Sequence, residues 1–146
     1  MSTEENKAIA RRIQEELWDQ KILAVADELL APTYVDHVPG SPPDVTPGPA
    51  KYKETASVYF TAFPDVRVTV EQQIAEGDMV VTRWKSHATH TGSLFGMSAT
   101  NKATSVTGIT IDHIVNGKLV ESWTEFDNLG SFRSSVFPLV PIPGER

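Results

Sequence analysis

Cysteine is absent from this 146-residue chain, which excludes a disulfide framework, a zinc-finger pattern and a thiol nucleophile. The absence fits a cytoplasmic setting, which is the expectation here. Basic clusters are missing too. No basic run exceeds Arg11-Arg12 and the formal net charge is −6, so nucleic acid and anionic membrane are not expected as partners. No apolar run approaches the roughly 20 residues of a membrane span. The acidic, helix-patterned start lacks the features of a signal peptide. Also missing are a Gly-x-Gly-x-x-Gly or phosphate loop and a Gly-x-Ser-x-Gly elbow. His37, His87, His90 and His113 lack the i, i+4 spacing of a zinc protease. We therefore expect neither a metal nor an organic cofactor. One domain spanning residues 1–146 is expected. It should bury roughly two-thirds of its unfolded surface without disulfides or structural metal.

What is present is a helical first third and a β-patterned remainder. Ser2 or Thr3 can cap a helix whose first turn carries Glu4 and Glu5. Ile9, Ile13, Leu17 and Trp18 fall at helical spacing, so a helix is predicted over 4–18. A second is predicted over 22–30, ended by Pro32. Residues 34–38 read as a short extended piece. Five prolines and two glycines in residues 39–49 mark a loop placed to serve as a lid. Residues 48–63 read as a third helix, with Tyr52, Ala56, Tyr59, Phe60 and Phe63 as its apolar stripe. Val66, Val68 and Val70 alternate with polar residues in a strand with one wet face. Residues 79–91 form a long strand with Trp84, Ser86, Ala88 and His90 on one face. Arg83, Lys85, His87 and Thr89 lie on the other, facing solvent or a partner copy. After a loop at 92–102, strands are predicted over 103–115 and 118–127, joined by Asn116-Gly117. Both turn residues tolerate the positive φ of a type I′ hairpin. A short helix at 128–134 and a proline-rich tail complete the reading. Three helices followed by about four long antiparallel strands make an α+β domain. Its curved sheet should enclose a pocket for a small organic ligand.

Several segments together resemble the SnoaL-like polyketide cyclases of the NTF2-like superfamily. They are Tyr34-Val35-Asp36-His37, Phe63-Pro64-Asp65, Glu76 to Trp84, Thr89-His90-Thr91-Gly92, and Asn116 to Trp123, closed by Asp127. The resemblance spans about residues 5–134. It implies an NTF2-like cone, a mostly apolar pocket for a small hydrophobic ligand, and often a homodimer built through the sheet. It also implies cofactor-free chemistry on an aromatic or polyketide-like ketone. In the best-known members an aspartate, helped by a glutamine and a histidine, removes a proton α to a carbonyl. Aligned on the Asn116-Gly117 turn, the glutamine position falls on Gly108, the histidine position on Thr110 and the aspartate position on Thr124. None of the three can act as the base. The family also includes polyketide hydroxylase-type members.

The candidate acid–base residues are therefore others. Asp127 ends the last strand and is either a pocket carboxylate or the cap of the final helix. His90 shares a face with Trp84 and Ala88, and His37 precedes the proline-rich loop. Each is either a ligand contact with acid–base capacity or a hydrogen-bonded rim histidine. Trp84, Trp123, Tyr34, Tyr59, Phe63, Thr110 and Thr124 are the candidate ligand-binding residues. Trp123 can equally be a core residue. A two-residue turn pairs Thr110 with Trp123 and His113 with Val120, leaving Thr124 on the opposite face. Convergence of the three family positions requires a bulge within 118–127, for which Gly108 offers weak support. His87 and His113 read as structural. A binding protein without chemistry, or a sheet that serves protein association through Arg83, Lys85, His87 and Thr89, are the rival functions.

Overall fold

The structure is a computed structural model that describes residues 2–38, 46–94 and 96–127. Helix α1 (Thr3–Arg12) opens on a capping box. Ser2 Oγ accepts the Glu5 N–H at 3.0 Å, and the Glu5 carboxylate accepts the Ser2 N–H at 3.2 Å. The helix continues without a break into a π-helical segment, Ile13–Asp19. Ala10, Ile13 and Leu17 keep one buried line through the change of winding. Asp19 ends the segment and accepts hydrogen bonds from the Arg67 guanidinium and the Val68 N–H, pinning the helix end to the sheet.

Helix α2 is shorter than its predicted span. It covers Val25–Leu29, and Leu30 already begins strand β1 (Leu30–His37). Pro32 lies inside this strand and does not serve as a helix stop. Because β1 is the edge of the sheet, the missing N–H of a proline is tolerated there. Gly48, at φ 108°, donates its N–H to the Tyr34 carbonyl and leads into α3 (Pro49–Ala62), which has proline in its first turn. The lid assignment for the proline-rich loop falls mostly on residues outside the described ones, as does the helix predicted at 128–134.

The sheet has five strands in the order β1-β5-β4-β3-β2, where β2 is Arg67–Glu76, β3 Met79–Thr89, β4 Ala103–Val115 and β5 Lys118–Phe126. It is mixed rather than purely antiparallel, because β1 runs parallel to β5. The β4–β5 turn has positive φ at both Asn116 and Gly117, as the hairpin signal requires. Two extra residues bend the sheet. Glu71 is unpaired between Val70↔Trp84 and Gln72↔Arg83. Val120 is unpaired between Ile114↔Leu119 and His113↔Glu121. Each reverses which residues of its strand face inward. Beyond Glu71 the inward positions become Gln73 and Ala75, and Ile74 is turned to solvent.

Two apolar clusters hold the helices on the concave face. One, at the turn end, joins Ala10, Ile13, Leu17, Leu29, Tyr34, Val80, Ile114 and Leu119. The other, at the far end, joins Ala62, Phe63 and Leu94 with Tyr59, Ala88 and Met97 packed on it. The 90–92 backbone presses closely on the end of α3. The Thr91 and Gly92 N–H groups both donate to the Ala62 carbonyl, and a Cβ at Gly92 would stand 2.0 Å from the Thr61 oxygen. Among the described residues no helix is long and apolar enough to cross a membrane.

Candidate functional site

Between the two apolar clusters the inner face of the sheet turns polar. The register places Asp36, Ser122, Asp112 and Val80 side by side across four strands, and Thr124, Thr110 and Thr82 in the next row. The Val120 bulge produces this arrangement. It pairs Thr110 with Thr124 in place of Trp123, so both hydroxyls face inward. The bulge required within 118–127 is present. Gly108 is not part of it. The Trp84 indole lies across Gly108, where a Cβ would stand 2.3 Å from the ring, so the glycine makes room for the tryptophan.

Hydrogen bonds connect these side chains into two groups. In the first, Trp84 Nε1 donates to Thr110 Oγ1 at 3.0 Å. Thr110 and Thr124 hydroxyls are 3.2 Å apart, and Thr124 Oγ1 donates to Asp36 Oδ1 at 3.2 Å. In the second, Ser122 Oγ donates to Asp112 Oδ1 at 2.5 Å. Ser122 also interacts with the phenol of Tyr34.

The electrostatics single out the two aspartates. Asp36 is half-buried, and its pKa is raised to about 6, chiefly by burial, with the Thr124 hydrogen bond and His37 opposing. Asp112 is fully buried and raised to about 7, again by burial first. The Ser122 hydrogen bond opposes that rise, and the charge of Asp36 adds to it. Two carboxyls coupled in this way do not ionise independently. Burial raises the phenols of Tyr34 and Tyr52 as well, with the Asp36 charge adding to both. Neither phenol can serve as a base near neutral pH.

The helices close the other side with aromatic rings. Trp18 meets Tyr52, Tyr59 and Phe60 edge-on, with its nearest ring centroid, that of Phe60, at 5.5 Å. Trp18 Nε1 also donates to the Tyr52 hydroxyl at 2.8 Å. Tyr34 sits edge-on to Tyr52, and Phe126 lies 6.5 Å from Trp84. The site thus combines two carboxyls and a row of hydroxyls with aromatic rings that pack on the core beside them. Its carboxyls and hydroxyls are groups able to give and take protons. Among the described residues no three metal-ligating side chains converge. A separate cavity of about 350 Å³ at the turn end, lined by Asn6, Gly77, Asp78, Ile114 and Asn116, touches neither perturbed carboxyl.

The residues singled out by sequence are distributed unevenly. Trp84, Thr110, Thr124 and Tyr34 lie on the inner face beside Asp36, with Tyr59 on the facing helix. Phe63 belongs to the far apolar cluster, with its ring 5.3 Å from that of His90. His90 is fully buried. The Thr100 N–H donates to its Nδ1 at 3.2 Å, which places the ring proton on Nε2. In that tautomer Nε2–H is a buried donor with no partner among the described residues. His37 and Trp123 stand on the outer face. Their rings stack at 5.6 Å, and His37 Nε2 bonds Glu121 at 2.6 Å. Asp127 is exposed just past β5, its N–H donating to the Thr107 carbonyl.

Asp36, Asp112 and Ser122 were not among the sequence candidates. For Asp112 a signal existed. It shares strand parity with Val106, Gly108, Thr110 and Ile114, all buried. For Ser122 there was none, because its face depends on the bulge.

The family model described as SnoaL-like polyketide cyclase matches residues 8–134. A candidate polyketide cyclase from Acidithiobacillus ferrooxidans is 30% identical, with 91% of this chain and 96% of that one covered and a TM-score of 0.79. IdmH, a candidate polyketide cyclase from Streptomyces antibioticus, is 27% identical over 86% of this chain and 94% of its own, at a TM-score of 0.73. AclR, a candidate hydroxylase from Streptomyces galilaeus, is 26% identical over 96% of this chain and 87% of its own, at 0.79. No curated protein matches the chain in sequence.

Proposed function

The chain belongs to the SnoaL-like polyketide cyclase family, and on that premise we propose that it is a cofactor-independent acid–base enzyme in which Asp36 is the base. Its substrate is a small aromatic or polyketide-like ketone held between the sheet and the aromatic helix faces. Asp36 removes the proton α to the carbonyl, and the enolate then closes a ring or rearranges. The observation that carries this reading is the Asp36 carboxyl itself. It is half-buried on the inner face, bonded through one oxygen to Thr124, and raised to about 6, close to the pH at which a base works best. Asp112, in the same row two strands away and raised to about 7, holds a proton across much of the same range and is suited to return it. The family's own base position is Thr124 here. The threonine supports a carboxylate that arrives from β1 instead.

The test is α-proton exchange. Aromatic and polyketide-like ketones are incubated with the protein in D₂O and followed by NMR. The wild-type chain is expected to wash out α-protium from at least one of them, and Asp36→Asn to lose that activity by about a hundredfold or more. Exchange by Asp36→Asn at the wild-type rate overturns the assignment. Ligand binding without exchange in either protein favours the non-catalytic binding reading. Hydroxylation, the activity named for AclR, is the alternative outcome for the same pocket. It is recognised by an oxygenated product.

We further propose a cytoplasmic homodimer paired through the outer face of the sheet. Trp123, Ile111, Val81 and Ile74 form one apolar row across that face, beside exposed Ile109. Such a row is stable in water when covered.

A further inference from the structure

Resting on the reading of Asp36 as the base, we propose that Trp84 is a positioning residue for it, acting through Thr110 and Thr124 along a hydrogen-bond chain with one direction. The direction follows from the chemistry of the two ends. An indole N–H only donates, and an ionised carboxylate only accepts. Between them stand two hydroxyls with one proton each. Thr124 gives its proton to Asp36 Oδ1. The 3.2 Å bond between the threonines must therefore use the proton of Thr110. Thr110 in turn accepts the indole N–H on a lone pair. Every proton of the chain is in use, and every dipole points toward Oδ1.

Reversal is costly. If Asp36 were protonated on Oδ1 and donated to Thr124, Thr110 would receive protons from both Thr124 and Trp84. Its own proton would then be left in a buried position, with no acceptor for it among the described residues. The chain thus keeps Oδ1 as an acceptor in both states of the base. It directs the exchangeable proton to Oδ2, which bonds no group among the described residues and is free to meet a substrate. Gly108 belongs to the same device. Any Cβ there collides with the indole at 2.3 Å and moves its N–H off Thr110.

The experiment is an NMR titration of the full chain with ¹³C-labelled aspartate, the Asp36 signal being assigned through Asp36→Asn. Thr124→Val is expected to raise the Asp36 midpoint by about one pH unit, the loss of one hydrogen bond to a charged group. Trp84→Phe, which removes the distant donor, is expected to raise it by about 0.3 unit through loss of cooperative polarisation. In the unmodified chain the Trp84 indole N–H resonance should titrate in step with Asp36, and Thr124→Val should abolish that response. An unmoved midpoint in Trp84→Phe overturns the proposal. So does an indole resonance that ignores Asp36 in the wild-type chain, a measurement that needs no variant to fold. None of these readouts needs turnover. A failed exchange assay with an intact titration chain therefore removes the enzymatic reading and leaves the coupling standing.

Discussion

The β4–β5 hairpin has two faces that invert the usual rule. Its inner face, at mid-strand, carries Thr110, Asp112, Ser122 and Thr124, while its outer face carries Ile109, Ile111 and Trp123. At the turn end the ordinary order holds, with Ile114 and Leu119 inside. Burying carboxyls and exposing branched apolar side chains both cost free energy. A fold keeps such an inversion where something else meets each surface. We read the inner face as meeting a ligand and the outer face as meeting a second copy.

The largest expected effect separates the faces by chemistry. Asp36→Asn should reduce α-proton exchange by about a hundredfold or more. His37→Ala, on the outer face only a residue away, should leave it within about twofold. Comparable losses from both would break the distinction.

Next in size is the pH dependence of stability. Asp112 is raised to about 7 in the folded chain, against about 3.9 in an unfolded one. Between these values the folded state binds the extra proton. The contribution of Asp112 to stability is therefore fully present below about pH 4 and is lost as pH rises through about 7, by on the order of a few kcal/mol. Asp112→Asn should flatten that slope in a series of thermal melts. Asp19, lowered by the Arg67 hydrogen bond, acts with the opposite sign, and its contribution is lost as the solution becomes more acidic than the ordinary carboxylate range.

Gly108→Ala should cost about 1–3 kcal/mol by driving Trp84 out of place. The loss should be visible in denaturant unfolding together with a shifted tryptophan emission. The smallest expected effect on the folded chain belongs to the outer face. Ile109→Asp should change the stability of an isolated chain by no more than about 0.5 kcal/mol, yet convert a dimer to a monomer by light scattering. A monomeric wild-type chain would remove the partner from the outer half of the comparison.

Much of the fold was legible because its signals are local. The capping box at Ser2, the Asn116-Gly117 turn and the alternation through β3 and β4 each depend on a few neighbouring residues. Strand β1 is only partly legible in this way. Its proline and its parallel partner are acceptable only at a sheet edge, and edge status is decided by the whole topology.

By itself, then, the sequence determined most of the elements, the hairpin and the family pattern, since propensity, turn chemistry and periodicity act over short stretches of chain. Only the tertiary structure decided the site. One unpaired residue, Val120, reversed the faces of β5 and brought Ser122 and Thr124 inward. The parallel pairing of β1 then carried Asp36 alongside them from 88 residues away. Burial between the sheet and the helices raised the pKa values of both aspartates, and burial is a property of the assembled layers that no short stretch of sequence contains.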